Sequence, residues 1–277
     1  MYDNYRPQGF RLLPPVVKNL LIINVLFYLA TFTAINVYKV DLNNYLALHY
    51  FESNLFQPFQ YITYMFMHGN FEHILFNMFA LWMFGYALEN IWGPKRFLIY
   101  YMVTGIGAAF IQTFVTWIDF HSLHTLAEAF QQNATPDNFE TLMKAGLLKN
   151  INPEGIVQIS NFTEQWRINN GSAHFAPQAT IFINQLFELK ASIPTVGASG
   201  AVYGILLAFG MIFPNTLIFL YFLFPIKAKW FVIAYGAIEL FSGFARTNDG
   251  IAHFAHLGGM IFGFLLIKYW RINRNTY

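Results

Sequence analysis

The sequence predicts an all-α polytopic membrane protein, a bundle of six transmembrane helices with a large extracytoplasmic insertion between the third and fourth. Three observations predict it. Of 277 residues, 56% are hydrophobic and only 11% are charged, whereas a soluble domain carries about 25% charged residues. Several apolar runs reach the ~20 residues that a helix needs to cross the hydrocarbon core of a bilayer. One stretch, 118–194, is polar instead, with charges of both signs. The net charge of +2 is too small to point to nucleic acid. No cysteine is present, which excludes disulfide and thiolate chemistry.

In chain order, residues 1–15 are a polar head with Arg6, Arg11 and the Pro14-Pro15 pair. The first apolar run, about Val16 to Val37, lacks a small-residue cleavage site and reads as a span that stays in place. Residues 38–67 form a loop of mixed polar and aromatic side chains, and its aromatic end, Pro58 to Met67, suits a segment lying in the membrane interface. The second span covers about Phe71 to Ile91 and stops at Gly93-Pro94. The third is about Phe97 to Trp117. The 118–194 stretch reads as a folded lobe outside the bilayer, with amphipathic pieces at about Asp137 to Lys149 and Gln178 to Ala191. Three glycosylation acceptor patterns start at Asn133, Asn161 and Asn170 and carry meaning only in a eukaryotic secretory setting. His121, His124 and His174 lack the spacing of metal ligands, so no metal is expected.

The fourth span runs from Ser199 to near Pro214. Residues 215–229 read as an interfacial loop, with a membrane-buried hairpin as the alternative. The fifth span is about Trp230 to Phe244, the sixth about Ala252 to Tyr269, and 271–277 form a short tail. Six spans put both termini on one side. The short segments there hold Arg6, Arg11, Lys18, Lys95, Arg96, Lys227, Lys229, Lys268, Arg271 and Arg274, which makes that side cytoplasmic. The lobe and the 245–251 loop then face outward, and the expected location is a bacterial plasma membrane.

Polar side chains inside such spans are costly and point to function. Ser199 sits between Gly197 and Gly200 at the head of the fourth span. His73 and Asn77 are four apart on the second span and share one face, with His68 just before it. His253 and His256 open the sixth. A serine and a histidine are the minimum for an activated nucleophile and its base. Asn, His and the N–H groups of a helix N-terminus can stabilise an oxyanion. Small residues recur every four positions, Gly200, Gly204 and Ala208 on the fourth span and Ala255, Gly259 and Gly263 on the sixth. Such stripes let helices pack closely in lipid. On a wheel of about 100° per residue, His256 lies about 60° from the middle of its stripe and His253 about 120°. His256 therefore borders the seam. Finally, a fourth span from Ser199 to Phe213 of 15 residues is only about 22 Å long, so if its far end reaches the cytoplasmic interface its serine end lies inside the hydrocarbon zone of about 30 Å. Each of these residues also has a packing reading, above all a lone Asn77 bonded between helices. Their co-occurrence on three helices favours chemistry.

These residues resemble the rhomboid family of intramembrane serine proteases. The resemblance rests on Gly197-Ala198-Ser199-Gly200, on His68, His73 and Asn77, on Gly85, Glu89 and Gly93, and on Ala255-His256 with Gly259 and Gly263. It spans all six helices and leaves out the 118–194 insertion and the tails. The resemblance implies a Ser–His dyad of Ser199 and His256, an oxyanion site of His73, Asn77 and the Ser199 N–H, and Tyr203 packed against the histidine. It implies no orienting carboxylate, so none is assigned to Glu239 or Asp249, and no cofactor. It also implies single-pass membrane proteins as substrates, cut at a small residue in a locally unstable helix. The oligomeric state is not legible. The alternative is a catalytically silent relative that binds membrane proteins or serves their quality control; relatives of that kind lack the Ser or the His. A small-solute transporter is a weaker reading, because no repeat with paired broken helices is found.

Overall fold

The computed structural model describes residues 12–149, 151–169, 173–220, 224–245 and 250–271. Arg6, Arg11, the acceptor pattern starting at Asn170, Asp249 and Arg274 lie outside the described residues. The described elements, in chain order, are α1 (Pro15–Thr33, continued by a π turn, Ala34–Tyr38), α2 (Asn43–Leu46), α3 (Gln60–Thr63), α4 (Phe71–Trp92), α5 (Pro94–Gln132), α6 (Pro136–Leu142), α7 (Pro153–Ile168), α8 (Phe175–Ala191), α9 (Ser199–Ile212), β1 (Leu217–Leu220), β2 (Phe224–Lys227), α10 (Ala228–Ala245) and α11 (His253–Tyr269). They fall into two compact units. One joins Met1–Leu48, Pro58–Gln112 and Thr195–Tyr277; the other joins His49–Gln57 and Thr113–Pro194.

The first unit is a helix bundle. By length and composition, α1 with its π turn, α4 and α5 can each cross a membrane, while α9 is apolar but shorter. Leu26, Leu29 and Phe32 on α1, Phe76 on α4, Phe241 and Phe244 on α10 and Leu265 on α11 stand exposed. Apolar side chains in that number facing outward are the mark of a lipid-facing surface.

Helix ends are secured locally. Pro15 starts α1, where its missing N–H costs nothing. The next two donors, Val16 N–H and Val17 N–H, go to the Glu89 carboxylate of α4 at 2.9 and 2.8 Å. Glu89 is therefore a buried carboxyl cap on a helix N-terminus. Asn70 caps α4 by accepting His73 N–H at 2.7 Å. Gly93 ends α4, and Pro94 opens α5 at once.

At the centre, α9 packs extensively against α11, and also against α4 and α10. The α9–α11 seam is backbone on backbone. A Cβ placed on Gly259 would fall 1.8 Å from the Gly200 carbonyl oxygen, and one on Gly204 would lie 3.0 Å from the Gly259 oxygen. Two buried tyrosines bond to carbonyls bared by small residues: Tyr100 Oη donates to Gly204 O at 2.8 Å, and Tyr64 Oη to Gly105 O at 2.6 Å.

The 215–229 segment, for which the sequence predicts an interfacial loop or a membrane-buried hairpin, contains an antiparallel strand pair, Leu217 opposite Lys227 and Leu220 opposite Phe224. Its Leu, Ile and Phe residues suit a pleated strand. And α5 does not stop at Trp117 but continues to Gln132, because no Gly or Pro interrupts it between Gly107 and Pro136.

The second unit has its own core, in which Phe130, Phe139, Leu142, Trp166, Phe175 and Ala179 are buried together. Trp166 and Phe175 stack 6.0 Å apart and 7° from parallel. It contains a helix the sequence reading did not identify. Asn152 accepts Gly155 N–H at 2.8 Å and Pro153 follows it, together a start signal for α7. Arg167, at the far end of α7, reaches Asp137 at 3.0 Å and Glu140 on α6. Lys144 beside it and that guanidinium hold the Glu140 carboxyl below the usual carboxylate range. The unit also takes in His49–Gln57, where Ser53 and Asn54 bond to Glu188 of α8.

Candidate active site

Four helices of the first unit supply the side chains. Gly197 turns the chain into α9 with φ +124°, a conformation that favours glycine. There is no room for a side chain either, since a Cβ would come within 2.8 Å of the His73 ring. Ser199 is the first residue of α9, so the first-turn N–H groups around it have no partner within the helix. His256 sits in the first turn of α11, 8% exposed, and its Nε2 is 2.9 Å from Ser199 Oγ. That is hydrogen-bond distance between a hydroxyl and a ring nitrogen.

Tyr203, one turn after the serine, lies flat on the His256 ring, with centroids 4.2 Å apart and planes 6° from parallel. His73 borders Gly197 on the other side, and its ring meets that of the buried His68 at 5.1 Å. Asn77 is buried one turn along α4. One of its amide hydrogens goes back to His73 O at 2.9 Å. The structure thus brings Ser199, His256, Tyr203 and His73 to one place, and Asn77 continues the same face of α4 below His73.

One carboxylate stands where the sequence reading assigned none. Glu239 on α10 is buried. Tyr203 Oη donates to its Oε1. His253 Nδ1 lies 2.6 Å from its Oε2, and His256 Nδ1 lies 3.0 Å from the same oxygen. The His256 contact is bent too far off line to count as a hydrogen bond. His253, which the wheel sets about 120° from the stripe, accordingly bonds to α10. The signal that marks Glu239 is a lone carboxylate within an otherwise apolar helix.

Glu239, His253 and His256 also bring three potential metal ligands within 4.8 Å of one another. The 2.6 Å separation is that of a hydrogen-bonded pair and the 3.0 Å one that of a direct charge contact. Two ligands on a tetrahedral zinc at 2.0–2.1 Å would stand roughly 3.3 Å apart.

No curated protein matches the chain significantly. A model of the Rhomboid domain matches residues 55–119 and 171–272, leaving most of the second unit outside. The matched segments hold His73, Asn77, Ser199, Tyr203, Glu239 and His256. The family consists generally of intramembrane serine proteases. Matched over more than half of its length, this chain is an integral membrane protein of the rhomboid family.

Proposed function

We propose that this protein is an active serine endopeptidase that hydrolyses peptide bonds in or near the transmembrane helices of single-pass membrane proteins. The observation that carries the reading is the 2.9 Å approach of Ser199 Oγ to His256 Nε2, on a histidine held flat by Tyr203.

In this reading Ser199 Oγ attacks the scissile carbonyl carbon while its proton passes to His256 Nε2. The carbonyl electrons move onto the oxygen, and the oxyanion faces the first-turn N–H groups of α9, with His73 and Asn77 as side-chain donors. Collapse of this intermediate expels the amine, which takes the proton from His256. Water then hydrolyses the acyl-enzyme by the same route in reverse. A substrate helix must first open, because its backbone hydrogen bonds and packing shield the carbonyl. A locally unstable helix with a small residue at the cut meets that need. The nucleophile's helix is 14 residues, about 21 Å long, so water has to reach a serine recessed within the ~30 Å hydrocarbon zone.

The proposed topology has six spans, α1, α4, α5, α9, α10 and α11. Both termini and their basic residues are cytoplasmic, and the 118–194 lobe lies outside. The protease domain is 16–270, between a head at 1–15 and a tail at 271–277. Incubation of the pure protein with a panel of single-span proteins in liposomes tests the function. Cleavage by wild type and none by Ser199→Ala supports it; no cleavage of any panel member, or equal cleavage by both, overturns it.

A further inference from the structure

Resting on that proteolytic reading, we infer that Glu239 is a positioning residue for the base, so that the site works as a Ser199–His256–Glu239 array. The carboxylate touches His256 indirectly and directly. Its Oε1 accepts Tyr203 Oη, and Tyr203 is the ring that lies on the His256 face. Its Oε2 lies 2.6 Å from His253 Nδ1 and 3.0 Å from His256 Nδ1. His256 is therefore bounded on its face by a ring that Glu239 tethers and on its Nδ1 edge by Glu239 itself.

The chemistry gives such a group a use. For Nε2 to accept the Ser199 proton, the neutral ring must carry its own proton on Nδ1. An acceptor beside Nδ1 favours that tautomer. The Nδ1 atom is buried and has no full hydrogen-bond partner among the described residues, and the carboxylate is what it faces. When the Oγ proton arrives, the ring becomes an imidazolium in a buried site, where an isolated charge is costly. An anion 3.0 Å from Nδ1 offsets that charge at the moment it forms. The Nδ1 proton stays on the ring throughout, and Glu239 supplies geometry and charge alone.

A packing role for Glu239, joining α9, α10 and α11, predicts something different, and the difference is measurable. Wild type, Glu239→Gln and Glu239→Asp are compared as full chains for kcat and KM on one cleavable single-span protein, for thermal unfolding, and for the rate at which a fluorophosphonate probe labels Ser199. Glutamine keeps an acceptor for Tyr203 Oη and removes the charge. Glu239→Gln should lower kcat and the labelling rate at least ~10-fold; triads with a straight bond lose about 10⁴ on the equivalent change, and the bend here sets the expectation lower. KM should stay within about twofold and the melting temperature unchanged, as for an interaction made in the transition state. Glu239→Asp should fall between the two.

Wild-type kcat in a folded Glu239→Gln variant overturns the role. So does a loss of kcat that follows a drop in melting temperature in both variants, which is how a packing residue behaves. If Glu239→Gln does not fold, Glu239→Asp decides by the same criterion: reduced kcat at unchanged melting temperature supports the role, and wild-type kcat overturns it. Zinc inhibition that Glu239→Gln relieves, with equal kcat in zinc-free buffer, would make the three residues a metal site and overturn the role as well. A wild type that neither cleaves nor labels removes the proteolytic reading and this role together. A wild type that labels, beside an indifferent Glu239→Gln, removes this role alone.

Discussion

The ring of Tyr203 lies on the imidazole of His256 at 4.2 Å, 6° from parallel, while its hydroxyl donates to Glu239. The two contacts separate by substitution. Tyr203→Phe keeps the stack and should retain kcat within a few-fold. Tyr203→Ala removes the stack, and an aromatic pair contributes about 0.5–1.5 kcal/mol beyond burial, so kcat should fall by up to about tenfold. Turnover in detergent reads both, and equal activity of Tyr203→Ala and wild type would show that the stack does not position the base.

The α9–α11 seam should tolerate no side chain at Gly259. A Cβ there would stand 1.8 Å from the Gly200 oxygen, on backbone that cannot step aside alone. Gly259→Ala should destabilise by about 1–3 kcal/mol or more, the usual cost of overpacking, and Gly259→Leu should fail to assemble. Thermal unfolding in detergent measures this. A Gly259→Leu variant with native stability would mean the two helices do not touch at this point.

Glu89 should matter to stability and not to chemistry. It is buried and accepts two N–H groups at the start of α1. Glu89→Ala leaves both donors without a partner and should cost about 2–6 kcal/mol, at about 1–3 for each orphaned group. Labelling of Ser199 at a temperature where the variant is folded should be unchanged, and its loss there would draw Glu89 into the site.

Asn77→Ala should act on turnover. One amide hydrogen is committed to His73 O, and in the proposed mechanism the second is offered to the oxyanion. Losing one such donor lowers kcat by about 10²–10³, with KM little changed. An unchanged kcat would leave Asn77 as a helix-packing residue.

What the sequence revealed follows from which signals are local. Serine, histidine and asparagine in apolar helices stand out one by one, and spacing on a single helix places His73 with Asn77 and Gly259 with Gly263. α1 and α4 stand where the apolar runs stand, because hydropathy and the Gly93-Pro94 stop are local too. Relations across a loop were legible only where the resemblance supplied them, as for Ser199 and His256. Glu239 and His253 are 14 residues apart on different helices, and a helical wheel orients His253 only within its own helix. Residues 153–168 went unread because Ile159, Phe162 and Trp166, which pack inward, sit among many polar neighbours. Only the start signal at Asn152-Pro153 marked α7.

The central claim is that His256 activates Ser199. It is tested most directly by treating wild type, Ser199→Ala, His256→Ala and His253→Ala with a mechanism-based serine-hydrolase reagent and locating the adduct by mass spectrometry. The account predicts an adduct on Ser199 of the wild type, none in Ser199→Ala or His256→Ala, and substantial labelling in His253→Ala, whose ring bonds to Glu239 and not to Ser199. Equal labelling of wild type and Ser199→Ala would contradict it, as would a folded His256→Ala that labels while His253→Ala does not.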